Sequence, residues 1–244
     1  MRRWLLNKHE SSQPLTVKGI LARLFVVLLM WVLLYQLWIF LHICWWIKFN
    51  PSTSAFMEDR LEIIQETKPE AELKYKWVNY SQISNNLKRA VIASEDAKFS
   101  DHDGFDWEGI EKAFDKNLKK GKIVAGGSTI SQQLAKNLFL SSKRTPWRKG
   151  EEAIITVMLE KMLSKQRILE IYLNVIEWGN GIFGAEAASR HYFKVSAGKL
   201  STTQAAKLAA MIPNPRFYDA HKSTKYLNRR TAVIQARMRF AELP

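Results

Sequence analysis

Cysteine is almost absent. Cys44 is the only one in 244 residues, which excludes an intramolecular disulfide and a cysteine-built zinc site. It lies in an apolar run and leaves the redox compartment open. The five histidines (His9, His42, His102, His191, His221) show no metal-ligand spacing, so no metal site is read from the sequence. Acidic residues are outnumbered: 23 Asp and Glu stand against 37 Lys and Arg, a formal charge of +14. That balance favours an anionic partner, whether nucleic acid, an anionic lipid surface or a phosphorylated substrate. Internal repeats and low-complexity tracts are also missing. With 47% apolar and 25% charged residues the chain is not a disordered one. Its length suits one domain with a core plus an anchor, and not two large domains.

One long hydrophobic run is present. From Gly19 to Ile47 only Arg23, Gln36 and His42 clearly interrupt it. As a helix it would be about 40 Å long, enough to cross a hydrocarbon core of roughly 30 Å with tilt. Trp38, Trp45 and Trp46 suit the interface at its C-terminal end. A cleaved signal peptide would have a shorter apolar region and a small-x-small site, and none follows Ile47. A core helix apolar all round does not suit so small a protein. Arg2, Arg3, Lys8, Lys18 and Arg23 lie before or just inside the run, which predicts a cytoplasmic N-terminus and a domain across the membrane. The predicted organisation is a tail over 1–18, a transmembrane helix over 19–47, a linker or membrane-proximal segment over 48–80, and a catalytic domain over 81–244. Apolar residues recur there at three and four, as at Leu87, Ala90 and Val91 or Ile168, Ile171, Tyr172 and Val175, predicting a mainly α fold. Pro213-Asn214-Pro215 predicts a break before a final basic helix.

Three segments have residue types that suit chemistry. From Ala90 to Asp106 a helix with an apolar face ends in Glu95 and Asp96, with His102 and the turn residue Gly104 following. A carboxylate at such an edge suits a general acid or base, although Glu-Asp pairs are also common at helix ends. From Gly126 to Leu140, two glycines feed a helix capped by Ser128 or Thr129, with Thr129 to Gln132 matching a capping box. Thr129, Gln133 and Lys136 share one face. Glycines, bare N–H groups and a lysine make an anion site, and a capped amphipathic helix explains the same residues equally well. No Gly-Lys-Ser/Thr ends the loop, so it is not a Walker P-loop. From Arg148 to Ala188, Arg148 and Lys149 precede Glu152, which shares a ridge with Thr156 and Glu160. A carboxylate on a buried helix needs a partner or a function, and a salt bridge to Arg148 or Lys149 would satisfy it.

Together these segments resemble the glycosyltransferase family that builds peptidoglycan, in its monofunctional form. Glu95, Asp96, Phe99, His102 and Gly104 match its first motif, Glu-Asp-x-x-Phe-x-x-His-x-Gly. Gly126 to Asn137 match Gly-x-Ser-Thr-Ile-x-Gln-Gln-x-x-Lys-Asn; Arg148, Lys149 and Glu152 match Arg-Lys-x-x-Glu; Ile168 to Asn174 match Ile-Leu-x-x-Tyr-Leu-Asn; Ala205 to Pro215 match the last. The matches cover about Gln82 to Phe217. Some members carry an arginine where this chain has Ile123-Val124-Ala125, with Lys119, Lys120 and Lys122 earlier. The resemblance implies a lysozyme-like helical domain on the periplasmic side of the bacterial inner membrane. It implies lipid II and the growing glycan chain as partners, and a link to the cell-wall synthesis machinery. Glu95 would be the general base, acting on the GlcNAc 4-hydroxyl of lipid II. Undecaprenyl pyrophosphate would leave from MurNAc C1, with inversion to a β-1,4 bond. Asp96, Ser128, Thr129, Gln133, Lys136, Arg148 and Lys149 would bind sugar or pyrophosphate. Glu152 would orient these cations or bind a divalent ion, Mg or Mn. Lysines between Lys112 and Lys122, interleaved with Phe105, Trp107, Ile110 and Phe114, suit a segment dipping into an anionic interface.

Two other classes compete. A lytic, lysozyme-like hydrolase would also use carboxylates, but needs no glycine-capped helix and cations aimed at a pyrophosphate. A membrane-tethered basic binding protein, for nucleic acid, fits the charge, but no binding motif is present. Ser196-Ala-Gly-Lys199 and Ser84-Asn85-Asn86 match fragments of transpeptidase motifs; without Lys-Thr-Gly, and without room for that domain, they read as chance.

Overall fold

The computed structural model describes residues 16–122, 126–140, 145 and 147–244. The expectations placed on Arg2, Arg3 and Lys8, and on Ile123, Val124 and Ala125, lie outside them. Two units separate, residues 1–41 and 42–244.

The first contains most of α1 (Val17–Trp46). Its apolar side chains are almost all exposed, Leu24, Phe25, Val26 and Leu28 among them. Among the described residues α1 alone is long and apolar enough to cross a membrane. It begins two residues before the predicted run and ends one before it.

The second unit is mainly α, as predicted. Its helices are α2 (Ala55–Gln65), α3 (Asn85–Glu95), α4 (Trp107–Lys120), α5 (Ile130–Phe139), α6 (Arg148–Met162) and α7 (Lys165–Val175). They continue as α8 (Ala185–Phe193), α9 (Thr202–Met211), α10 (Pro215–Ala220) and α11 (Lys225–Arg237). Hydroxyl caps start many of them: Ser84 accepts from Leu87 N at 3.2 Å, Ser164 from Arg167 N at 3.2 Å and Thr224 from Leu227 N at 3.0 Å. Each satisfies an N–H that the helix leaves open. The three-and-four spacing then buries Leu87, Ala90 and Val91 on α3, and Ile168, Leu169, Ile171 and Tyr172 on α7. In the core α5 packs on α6 and α7, while α9 packs on α3 and α11.

Two features depart from the sequence reading. Segment 48–80, expected to link, is part of the compact unit. Its α2 packs on α5, with Met57 and Arg60 buried. Its strand β1 (Lys74–Tyr75) pairs in parallel with β3 (Ile182–Phe183), which pairs antiparallel with β2 (Glu177–Gly179). Strands of two or three residues are too short to show a period. The break at Pro213–Pro215 is real but yields two helices: Asn214 leaves the helical conformation at φ −150° and ψ 65°, and Pro215 opens α10, where its missing N–H costs nothing.

Candidate active site

Glu95 is the last residue of α3, and its carboxylate is held from three directions. Oε1 accepts from Ser94 Oγ at 2.9 Å and faces Arg230 Nη2 at 3.4 Å; Oε2 accepts from Gln133 Nε2 at 3.1 Å. Gln133 is fixed in turn. The buried Tyr172 hydroxyl donates to Gln133 Oε1 at 2.9 Å, which leaves the amide nitrogen to face Glu95. Burial, and then the nearby charges of Glu95 and Asp96, push the Tyr172 phenol well above its ordinary range, so it stays a donor.

Two clefts are lined by members of this hydrogen-bonded group. Glu95 lines a smaller one of about 160 Å³, together with Asp106, Gly126, Gly127 and Ser128. Gln133 lines the larger, about 400 Å³, with Lys136, Arg148, Tyr172, Glu177 and Arg216. Gly127 lets the loop pass close to α4: a Cβ there would lie 3.0 Å from Ile110 Cα.

Asp96 and Thr129, expected to bind substrate, also line the smaller cleft, and both carry hydrogen bonds that hold the framework. Asp96 is 6% exposed. Its Oδ2 accepts from Ile130 N at 3.0 Å, and Oδ1 lies 2.9 Å from His102 Nε2. Gly104 N donates to His102 Nδ1 at 3.1 Å, so the ring proton is on Nε2 and is donated to Asp96. Thr129 is 1% exposed; its hydroxyl donates to Gly104 O at 2.7 Å and accepts from Gln132 N at 3.2 Å. The capping box with Gln132 is formed as predicted. The N-terminus of α5, expected to receive a pyrophosphate, already receives the Asp96 carboxylate, and the physics that suits it to an anion is used internally.

Ser128, Gln133, Lys136 and Arg148 do line the two clefts. Glu152 and Lys149 line neither. Glu152 is buried on α6 and paired with Lys149, the salt bridge that the sequence allowed. Among the described residues no three of His, Cys, Asp and Glu stand together as metal ligands.

Sequence reasoning missed Arg230, Tyr172, Glu177 and Arg216. Tyr172 and Glu177 lie within or beside a matched motif, but no local pattern says that they face a cleft. Arg230 is 135 residues from Glu95, on a helix with several similar cations.

A mainly helical domain with a carboxylate lining one cleft and hydrogen-bonded to a glutamine of a second, cationic cleft fits the class of glycosyl-transfer enzymes. The family described as transglycosylase matches residues 60–239, and the chain belongs to it. The fold is accordingly lysozyme-like. The chain is 64% identical over 228 residues to a biosynthetic peptidoglycan transglycosylase of Methylobacillus flagellatus, covering 93% of this chain and 100% of that one. Proteins of the same description from Chromobacterium violaceum (65% identical; 92% and 99% covered) and Laribacter hongkongensis (63%; 93% and 98%) are similar over the same extent.

Proposed function

We propose that this enzyme is a peptidoglycan glycosyltransferase that polymerises lipid II, with Glu95 as its general base. The observation that carries the reading is Glu95 lining the smaller cleft, gripped by Ser94, Arg230 and Gln133, with Gln133 lining the larger. The smaller cleft takes the acceptor sugar. Its 4-hydroxyl gives its proton to the Glu95 carboxylate as the oxygen attacks MurNAc C1 of the growing chain. The C1–O bond to undecaprenyl pyrophosphate breaks on the opposite face, so the centre inverts. The leaving pyrophosphate stays an anion, and Lys136 and Arg148 in the larger cleft stabilise the charge it gathers. Asp96, Thr129 and His102 hold the loop and helix that bring these groups together.

The anchor follows from the substrate. A prenyl tail stays in the bilayer, so the reacting centre works at its surface. In this reading α1 spans the bacterial inner membrane once, with the N-terminus cytoplasmic and the catalytic domain periplasmic. On α4, Trp107, Phe114 and Leu118 are each at least 65% exposed, beside Lys112, Lys116, Lys119 and Lys120, and this helix dips into the anionic interface. Cell-wall synthesis proteins are its natural neighbours there.

The test is detergent-solubilised protein with labelled lipid II, beside Glu95→Gln. Lysozyme-sensitive polymer from the wild type and none from the variant is the expected result. No polymer, but cleavage of finished peptidoglycan, would replace the reading with that of a lytic enzyme.

A further inference from the structure

The larger cleft contains a carboxylate, although an anion site gains nothing from one. Glu177 on β2 lines it beside Lys136 and Arg148 and is 5% exposed. Burial pushes its carboxyl up, against the pull of Arg60 and Arg216. A buried carboxylate is tolerated only with close partners, and its two oxygens have different ones. Oε1 faces Arg60 Nε of α2 at 3.3 Å. Arg60 is itself 5% exposed, and its Nη2 also donates to Asn180 Oδ1 at 3.0 Å. Oε2 faces Arg216 Nε of α10 at 3.7 Å.

The two arginines are unlike in exposure. Arg60 is enclosed and balances the Glu177 charge. The Arg216 side chain is 54% exposed and lines the cleft. Its Nε is turned toward Glu177, and a planar guanidinium held on that edge keeps further N–H donors for a ligand. The charge of Glu177 is matched from behind by Arg60, so Arg216 adds net positive charge to the cleft, with Lys136 and Arg148. Lys136 and Arg148 come from α5 and α6, whereas Arg216 comes from the start of α10. Cations delivered from separate elements suit a ligand with two phosphoryl groups better than one.

We propose that Arg216 is a third cation for the pyrophosphate of the donor lipid, and that Glu177 and Arg60 are positioning residues that aim it. This rests on the reading of the larger cleft as the donor site. Arg216 is the binding residue; Glu177 and Arg60 touch no substrate.

The test is undecaprenyl pyrophosphate binding to the full detergent-solubilised chain, with lipid II polymerisation and thermal unfolding measured alongside. Wild type, Arg216→Gln and Arg216→Lys are compared. Loss of one charge-assisted contact at a half-exposed site should weaken undecaprenyl pyrophosphate about tenfold in Arg216→Gln. KM for lipid II should rise by a similar factor, with kcat changed less and Tm unchanged. Arg216→Lys, which keeps the charge and loses the fork, should fall between. Unchanged affinity in Arg216→Gln, or a loss that appears only with a lowered Tm, would overturn the proposal. A wild type that polymerises lipid II while Arg216→Gln matches it in every constant sinks this inference alone. A wild type that does not polymerise sinks the reading beneath it.

Discussion

Replacing Asp96 by Ala should unfold the protein more readily before it says anything about substrate. The carboxylate is buried and has two partners, Ile130 N at 3.0 Å and His102 Nε2 at 2.9 Å. Losing the charge-assisted bond at the start of α5 costs about 1 kcal/mol, as for other helix caps. The His102 N–H is then left without an acceptor in a side chain only 10% exposed, which costs roughly 1–3 kcal/mol more. The sum is about 2–4 kcal/mol, and for a unit of this size each kcal/mol moves Tm by roughly 2–4 °C. Circular dichroism of the solubilised chain should therefore show Tm lowered by about 5–15 °C in Asp96→Ala. Asp96→Asn keeps one acceptor and should lose less. Glu95→Gln is the contrast: its partner Arg230 is partly exposed, so about 1 kcal/mol or less of stability goes, while polymer formation stops. An Asp96→Ala protein with Tm within about 2 °C of wild type but no polymer would refute the framework role. It would make Asp96 a substrate contact.

Arg230→Gln should lower kcat about 10- to 100-fold, the equivalent of one hydrogen bond to a charged group, with little change in Tm; an unchanged kcat would remove Arg230 from the site. Gly104→Ala should destabilise by about 2–4 kcal/mol, combining left-handed strain with overpacking. Gly104 has φ +88°, and its added Cβ would meet Thr156 Cγ2 at 2.8 Å and Glu160 Cγ at 2.9 Å; denaturant unfolding measures it. His191 is held below its ordinary 6.5, first by burial, with Asp219 opposing and Lys74 and Lys222 adding to the shift. The unfolded chain then binds more protons than the folded one below that value, so this part of the stability is lost as pH falls through 6.5. His191→Gln should flatten the Tm–pH curve there. Residues 42–244 carrying Trp107→Asp and Phe114→Asp should bind anionic vesicles about 10- to 100-fold more weakly than the unsubstituted unit; equal binding in flotation would take α4 off the membrane.

Features that a local pattern carries were legible in the sequence. The apolar run of α1, the capping box at Thr129 and Gln132, and the placement of Glu95 at a helix end all follow from neighbours within about one turn. Features made by distant partners were not. Asp96 reads as the second half of a carboxylate pair, and only its reach across 34 residues to Ile130 shows it to be a cap. Arg230 is one basic residue among Lys225, Arg229 and Arg237 on α11, and exposure and periodicity do not single it out. Arg60 in the segment read as linker is buried because Glu177, 117 residues on, is buried opposite it. Glu152 reads in sequence as a group that orients cations or as half of a salt bridge, and only the packing of α6 shows it buried and paired with Lys149.

The site separates holding from reacting, and the division runs between adjacent residues. Glu95 and Asp96 share a motif and a charge, yet the end of α3 turns them to different environments. Both line the smaller cleft, but Glu95 has three polar partners there, whereas Asp96 is tied to the N-terminus of α5 and to His102. A similar split recurs at the start of α5, where the Thr129 hydroxyl is used by Gly104 and Gln132 while Gln133, four residues on, reaches Glu95. A general base has to keep its place while its charge changes during reaction. Donors that must themselves be oriented, such as Gln133, can do this only if a group outside the reaction fixes them. Tyr172 does so for Gln133, and Asp96 does so for the start of α5. A motif that spans both kinds of residue reads as one functional unit in sequence, but its members fail differently: loss of the first kind stops turnover in a folded protein, and loss of the second lowers stability first.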